Sequence, residues 1–137
     1  MTHHLIDHTA DFGIYVFGSD EKDLFANAAL AMFDLITDLD KVAGSLKHAM
    51  QVTGEDWPDL MVNWLRELLF LWAGREMLAK KVEIQYISEK KLSASVHCDP
   101  FDADRHLIKN EIKAVTYHQI QVKAGPEGWE SQIIFDC

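Results

Sequence analysis

The sequence predicts an α+β protein in which two helices pack on one face of a mainly antiparallel β-sheet. Three observations carry this reading. Two stretches in the first half of the chain repeat apolar residues at helical spacing behind acidic caps, the period falls to two from Val82 onward, and Gly- and Pro-containing turns join neighbouring runs into hairpins. At 137 residues the chain is expected to form one domain, residues 1–137, large enough to bury a core without disulfides or metal.

The first expected strand is "GIYVFGS", Gly13 to Ser19, which alternates and is rich in β-formers. In "DEKDLFANAALAMFDLIT" the apolar residues Leu24, Ala28, Ala31 and Leu35 share a helix face, with Ser19 or Asp20 as the cap. "TDLDKVAGS" ends that helix, and "LKHAMQVTG" reads as a short strand. The second helix starts at Asp56, a good N-cap, followed by Pro58 and Asp59 in a first turn whose amides lack helical partners. Leu60, Trp64, Leu68 and Leu71 share its apolar face, and only Asp59, Asn63, Arg66 and Glu67 form a polar strip, on which Phe70 also lies. "VEIQYISEKKLSASVHC" is then a hairpin with inward rows Val82, Ile84, Tyr86 and Leu92, Ala94, Val96, Cys98, followed by the loop "DPFDADRH". A second hairpin turns at Gly125 to Gly128 and runs its last strand to the final residue. No internal repeat, linker or low-complexity tract is read in the chain.

Charge limits the partners. Thirteen Lys and Arg against 22 Asp and Glu give a net charge of −9, and no basic run exceeds two residues, so direct nucleic-acid binding is not expected. An acidic chain of this size suits a basic protein, a cation or a small substrate. The most apolar stretch, "LMVNWLRELLFLW", is too short and too charged to span a membrane, and "MTHHLIDHTAD" lacks the basic and apolar regions of a secretory signal. With Cys98 and Cys137 forming no CxxC pair, a reducing cytoplasmic setting is expected. Oligomeric state is not legible.

Two groups of residues have chemical potential. On the last strand Trp129, Ser131, Ile133 and Phe135 share one face and Asp136 lies on the other, next to the main-chain carboxylate that follows if the polypeptide ends at Cys137. Pairing of the first and last strands would bring Asp11, in "HTAD", to the same place. Converging carboxylates require a cation or a proton between them, and all-oxygen ligation favours Ca²⁺, Mg²⁺ or Mn²⁺ over Zn²⁺. The second group, His106, Lys109, Glu111, Lys113 and His118 in "HLIKNEIKAVTYH", has Zn²⁺-ligand residue types without HExxH or CxxC spacing, and Lys113 and His118 share a face only if a bulge intervenes. No Walker loop, Rossmann fingerprint or nucleophile elbow is present.

"DHTADFGIYVFGS", "GEDWPDLMVNWLRELLFL", "EIKAVTYHQIQV" and "WESQIIFDC" together resemble the opening motif, long helix, distinctive strand and ending of the archease family. "WAGREMLAKK" and "SVHCDPFDADRH" depart from the family wording and are expected to be loop-level variation. The resemblance implies a non-catalytic activator of the GTP-dependent RtcB-type RNA ligase of tRNA splicing, promoting ligase guanylylation and multiple turnover. It implies a divalent ion, Ca²⁺ first, on Asp11, Asp136 and Cys137 through its terminal carboxylate. It also implies a partner-contact or phosphate-facing role for Lys113. His8, Thr9 and His118 are expected to orient the ligands by hydrogen bonds. A metal-dependent phosphoesterase and a general chaperone-like binding module are the alternative readings.

Overall fold

The computed structural model describes residues 3–7, by backbone course alone, and residues 11–137. The α+β class and the antiparallel pairing are both as expected, but the strands form two ladders rather than one sheet. Strands β1 (His3–Asp7), β2 (Asp11–Gly18), β6 (Ala114–Val115), β7 (Gln121–Gly125) and β8 (Gly128–Asp136) make a five-stranded sheet in which β8 pairs β2 on one side and both β6 and β7 on the other. Strands β3 (Leu46–Thr53), β4 (Met77–Ser88) and β5 (Lys91–Pro100) make a second sheet in the order β3-β5-β4. Helices α1 (Glu21–Ile36) and α2 (Trp57–Ala73) each pack on strands of both ladders, which covers the broad apolar surface that α2 carries. Periodicity shows which face of an element is apolar but not which distant strand it pairs with, so the split was not legible.

The two ladders repeat one plan. β3, α2 and the β4–β5 hairpin form a βαββ unit, and β2, α1 and the β7–β8 hairpin form another, with matching strand orders β3-β5-β4 and β2-β8-β7. The first unit is inserted into the second, between α1 and β7. A repeat is therefore present, contrary to the sequence reading: "GSDEKDLFAN" and "GEDWPDLMVN" share Gly, Asp, Asp, Leu and Asn at a constant offset of 36 positions (18 to 54, 20 to 56, 23 to 59, 24 to 60, 27 to 63).

The shared letters have shared jobs. Asp20 and Asp56 each accept the amide three residues on, at 2.8 and 3.0 Å, capping α1 and α2. Asp23 and Asp59 reach back to the amides of Ser19 and Glu55, both at 2.8 Å, which closes each loop. Asn27 and Asn63 donate to the Phe17 and Thr53 carbonyls at 2.8 and 2.9 Å, tying each helix to the end of its strand. A Cβ on Gly18 or Gly54 would stand 2.6 or 2.7 Å from the Leu24 or Leu60 Cα, so only glycine allows strand and helix backbones to meet this closely.

One core serves both units. Trp64 is fully buried where its counterpart 36 positions earlier is the equally buried Ala28, and the Trp64 indole donates to the Phe25 carbonyl of α1 at 2.9 Å. Helices that pack on each other at equivalent sites need a large residue facing a small one.

Three details depart from the sequence expectation. β1 was not anticipated. "WAGREMLAKK" and "SVHCDPFDADRH" are not merely loops, since β4 begins at Met77 and β5 runs to Pro100. Tyr86, expected inside, is 52 % exposed because a bulge between Ile84 and Tyr86 shifts the phase and Ile87 takes the inward row opposite Leu92.

Candidate functional site

β2 and β8 pair so that Asp11 lies directly opposite Asp136, Phe12 opposite Phe135 and Ile14 opposite Ile133. The pairing follows from hydrophobic alternation: Ile14, Val16, Ile133 and Phe135 all fall on the buried face, so the phase leaves both aspartates on the outward face. β6 adds Ala114 on the other side of Asp136, and the Lys113 amide donates to the Asp136 carbonyl at 2.7 Å. Burial raises the Cys137 thiol above its ordinary range; the Phe12 amide lowers it, the charges of Asp11 and Asp136 raise it, and Lys113 lowers it. Asp11, Asp136, Lys113 and Cys137 thus lie within electrostatic reach of one another.

The end of β8 is held from α2. Arg66 Nε donates to the Val115 carbonyl at 3.1 Å, and its guanidinium lies over the Tyr117 ring at 4.7 Å from the centroid. The Thr116 amide and hydroxyl both donate to the Ile134 carbonyl, at 3.1 and 2.9 Å. The segment leading into β6 is fixed on the end of α1, where the Lys109 amide donates to the Ile36 carbonyl at 2.7 Å and Asn110 Nδ2 to the Leu35 carbonyl at 2.6 Å. Both are end-of-helix carbonyls with no helical donor of their own.

Asp11, Asp136, Cys137 and Lys113 are therefore gathered at one corner of the large sheet. His118 is not gathered there, a correction to the sequence reading. It stands in the exposed turn between β6 and β7, level with Ile134 and Gln132 rather than with the strand end, because the pairing of β8 breaks at Thr116 and resumes at Gln121. His8 and Thr9 lie outside the described residues. The Zn²⁺-type group does not assemble either: His106 is buried in the loop after β5, its Nδ1 accepting the Asp102 amide at 3.0 Å, and His118 is exposed. Among the described residues no three His, Cys, Asp or Glu side chains are grouped to hold a metal.

The donor chemistry of the Asp11–Asp136 pair fits a hard divalent cation. Directly opposed residues on adjacent strands carry their Cβ atoms about 4.5–5.5 Å apart, where like charges destabilise the ladder and one ion can bridge two carboxylates. Asp11 and Asp136 would hold the ion, with the main-chain carboxylate as a third oxygen donor where the polypeptide ends at Cys137.

Two polar clusters were missed in the sequence. Tyr117 donates to Asp59 at 2.6 Å; this bond, followed by that from the Glu55 amide, holds the Asp59 carboxyl below its usual range against a smaller opposing effect of burial. Asp99 is 4 % exposed. Burial alone would raise its pKa, but bonds from the Ser45 amide and hydroxyl at 2.7 and 2.8 Å and from the Ala43 amide at 2.6 Å prevail, and it falls from 3.8 to about 2. The repeated Gly-x-Asp-x-x-Asp-Leu-x-x-Asn signature could have revealed the first cluster, since it assigns Asp59 to a capping loop. Nothing local marks the second.

The family described as "Archease protein family (MTH1598/TM1083)" matches residues 3–137. "Protein archease" of Methanosarcina mazei is 34% identical over 135 residues, covering 96% of this chain and 92% of that protein. "Protein archease-like" of Drosophila melanogaster is 35% identical over 125 residues, covering 89% and 80%. The solution structure of protein 1598 of Methanobacterium thermoautotrophicum superposes with a TM-score of 0.84 at 31% identity, covering 98% of each chain. An archease of Thermotoga maritima, described as a possible chaperone, has a TM-score of 0.62 at 16% identity, covering 96% of this chain and 94% of that one, a likeness of fold.

Proposed function

This chain belongs to the archease family, and from that premise we propose that it is a non-catalytic activator of an RtcB-type RNA ligase, acting through a divalent ion at the corner where β2 meets β8. The observation that supports this reading is the facing of Asp11 and Asp136 across adjacent strands, since an opposed acidic pair is unfavourable in a ladder unless it has a use. Ca²⁺ is the first choice, with Mg²⁺ and Mn²⁺ as the other hard ions the oxygens suit. When bound, the ion supplies a fixed positive charge that orients oxygen ligands of the protein or its partner.

The chain's own residues have separate parts. The ladder holds Asp11 and Asp136 at fixed separation, and β6, anchored by Arg66 and Thr116, backs Asp136 from the far side. Lys113 is exposed beside them and is the residue to meet a phosphate or the ligase surface. The net charge of −9 favours approach to a basic RNA-binding partner.

The test is guanylylation of a cognate ligase by GTP, with and without this protein. Wild type speeds the step and sustains repeated turnover, increasingly so as salt is lowered. Asp11→Asn and Asp136→Asn each abolish activation and remove the rise in Tm that Ca²⁺ gives wild type, with circular dichroism unchanged. Normal activation by both variants, or phosphoester cleavage by this protein alone, overturns the reading.

A chaperone-like reading has its own support in Phe70, 60 % exposed on α2, and in the description of the Thermotoga maritima relative. Suppression of aggregation of unrelated proteins, lost in Phe70→Ser, would favour it.

A further inference from the structure

The outward face of the β3-β5-β4 sheet is uncovered. Its rows are Lys47, His97 and Lys81; Ala49, Ser95 and Glu83; Gln51, Ser93 and Tyr86; and Thr53, Lys91 and Ser88. Applying the 36-residue offset between the units, Asp11 corresponds to Lys47, whose partner is His97 and whose next neighbour is Lys81. Where the outer unit places two carboxylates, the inserted unit places two lysines and an imidazole.

We propose that this face binds single-stranded nucleic acid, with phosphates on Lys47, Lys81 and Lys91 and a base stacked on Tyr86. All four side chains are exposed. The acid of these rows, Glu83, is engaged by Lys81 at 3.4 Å and His97 at 3.2 Å, and in the adjoining turn Lys90 adds one positive charge, its Nζ donating to the Glu55 carbonyl at 3.0 Å, against the negative charge of Glu89. The face is thus locally positive on a chain of net charge −9, because residues far apart in sequence are brought together by strand pairing. Net charge averages over the surface, and counterion release is governed by the local lysines.

The floor favours nucleic acid over protein. It is a shallow depression of about 480 Å³ lined by Ala49, Gln51, Gln85, Ser93 and Ser95. Small residues admit a planar base, and amides and hydroxyls offer hydrogen bonds. Apart from Tyr86, the large aromatic and apolar anchors that concentrate the energy of protein interfaces are missing from these rows. From the Lys47 row to the Lys91 row is about 20 Å along the strands, and open β-sheets in RNA-binding modules stack two or three bases in this manner.

The inference rests on the inserted unit alone and not on the ligase reading. It is tested by fluorescence anisotropy of short labelled oligouridylate and oligodeoxythymidylate with the full chain. Binding is expected at low ionic strength and should weaken about tenfold or more on reaching physiological salt. K47E/K81E/K91E should lose about tenfold or more at low salt, and Tyr86→Ala about tenfold, both with unchanged circular dichroism. Asp11→Asn should bind as wild type, which separates this face from the carboxylate corner. Binding of either oligomer with that pattern sustains the proposal. Absence of binding at low salt, retention of wild-type affinity by the triple variant, or displacement by polyglutamate at equal charge overturns it, the last identifying an acidic polypeptide as the occupant.

Discussion

In the outer βαββ unit the strand before the helix begins on Asp11, opposite Asp136; in the inserted unit the matching positions are Lys47 and His97. At the other end of the same strands the two units agree residue for residue, with glycine at the strand end, aspartate at the cap, a second aspartate closing the loop and asparagine tying helix to strand. The contrast separates what the fold requires from what is free to vary. A strand-to-helix junction leaves backbone amides without partners, and few side chains satisfy them in so small a space. The opposite ends of the strands face solvent, so charge there is limited only by neighbours, and one unit became acidic while the other became basic.

The comparison breaks first at the glycines if it is wrong. Gly18→Ala and Gly54→Ala each place a methyl group against helix backbone and should cost about 3 kcal/mol, measured by urea unfolding. A cost below about 1 kcal/mol at either would show that its junction yields, and that the two are not equivalent constraints.

The next effect belongs to one unit alone. Among the described residues Asp99 of the inserted unit is the buried carboxylate, and it clamps β5 to the segment Ala43–Ser45. The folded pKa of about 2 lies below the ordinary 3.8. Its contribution is therefore present above about pH 4 and is lost as pH falls towards 2, and the shift corresponds to about 2 kcal/mol. Asp99→Asn should flatten the acid limb of the stability profile, and a profile unchanged by the substitution would remove Asp99 as its source.

The smallest effects sharpen the likeness. Asp20→Ala and Asp56→Ala should each cost about 1 kcal/mol, adding in the double variant. Tyr117→Phe should act on the junction of the inserted unit: it removes the largest influence holding Asp59 low, so the Asp59 titration followed by NMR moves up.

Much of this was legible locally. Both helices, the caps Asp20 and Asp56, the existence of the β4–β5 hairpin and the turn between Gly125 and Gly128 follow from spacing and turn chemistry. The phase of β8, with Asp136 opposite in face to Phe135, follows from alternation alone. What failed needed information from distant residues. Tyr86 was placed inside because a bulge, invisible in the sequence, resets the alternation. His118 was placed beside the acidic pair because the interruption of β8's pairing was not foreseen. The basic face escaped notice since Lys47, Lys81 and Lys91 form no cluster along the chain.

The nesting of one unit inside the other sets an order of assembly during synthesis. All the strands of the inner sheet lie between Leu46 and Pro100, and Phe25 and the Ala43–Ser45 segment that they and α2 bond precede them in the chain, whereas β2 must wait for β8, with Gly18 and its partner Trp129 separated by 111 positions. Such distant pairing is the slow, entropically costly kind. A ribosome thus releases the inner sheet long before the outer one can close. A nascent chain that has not yet reached Asp136 would carry the lysine face without the aspartate pair.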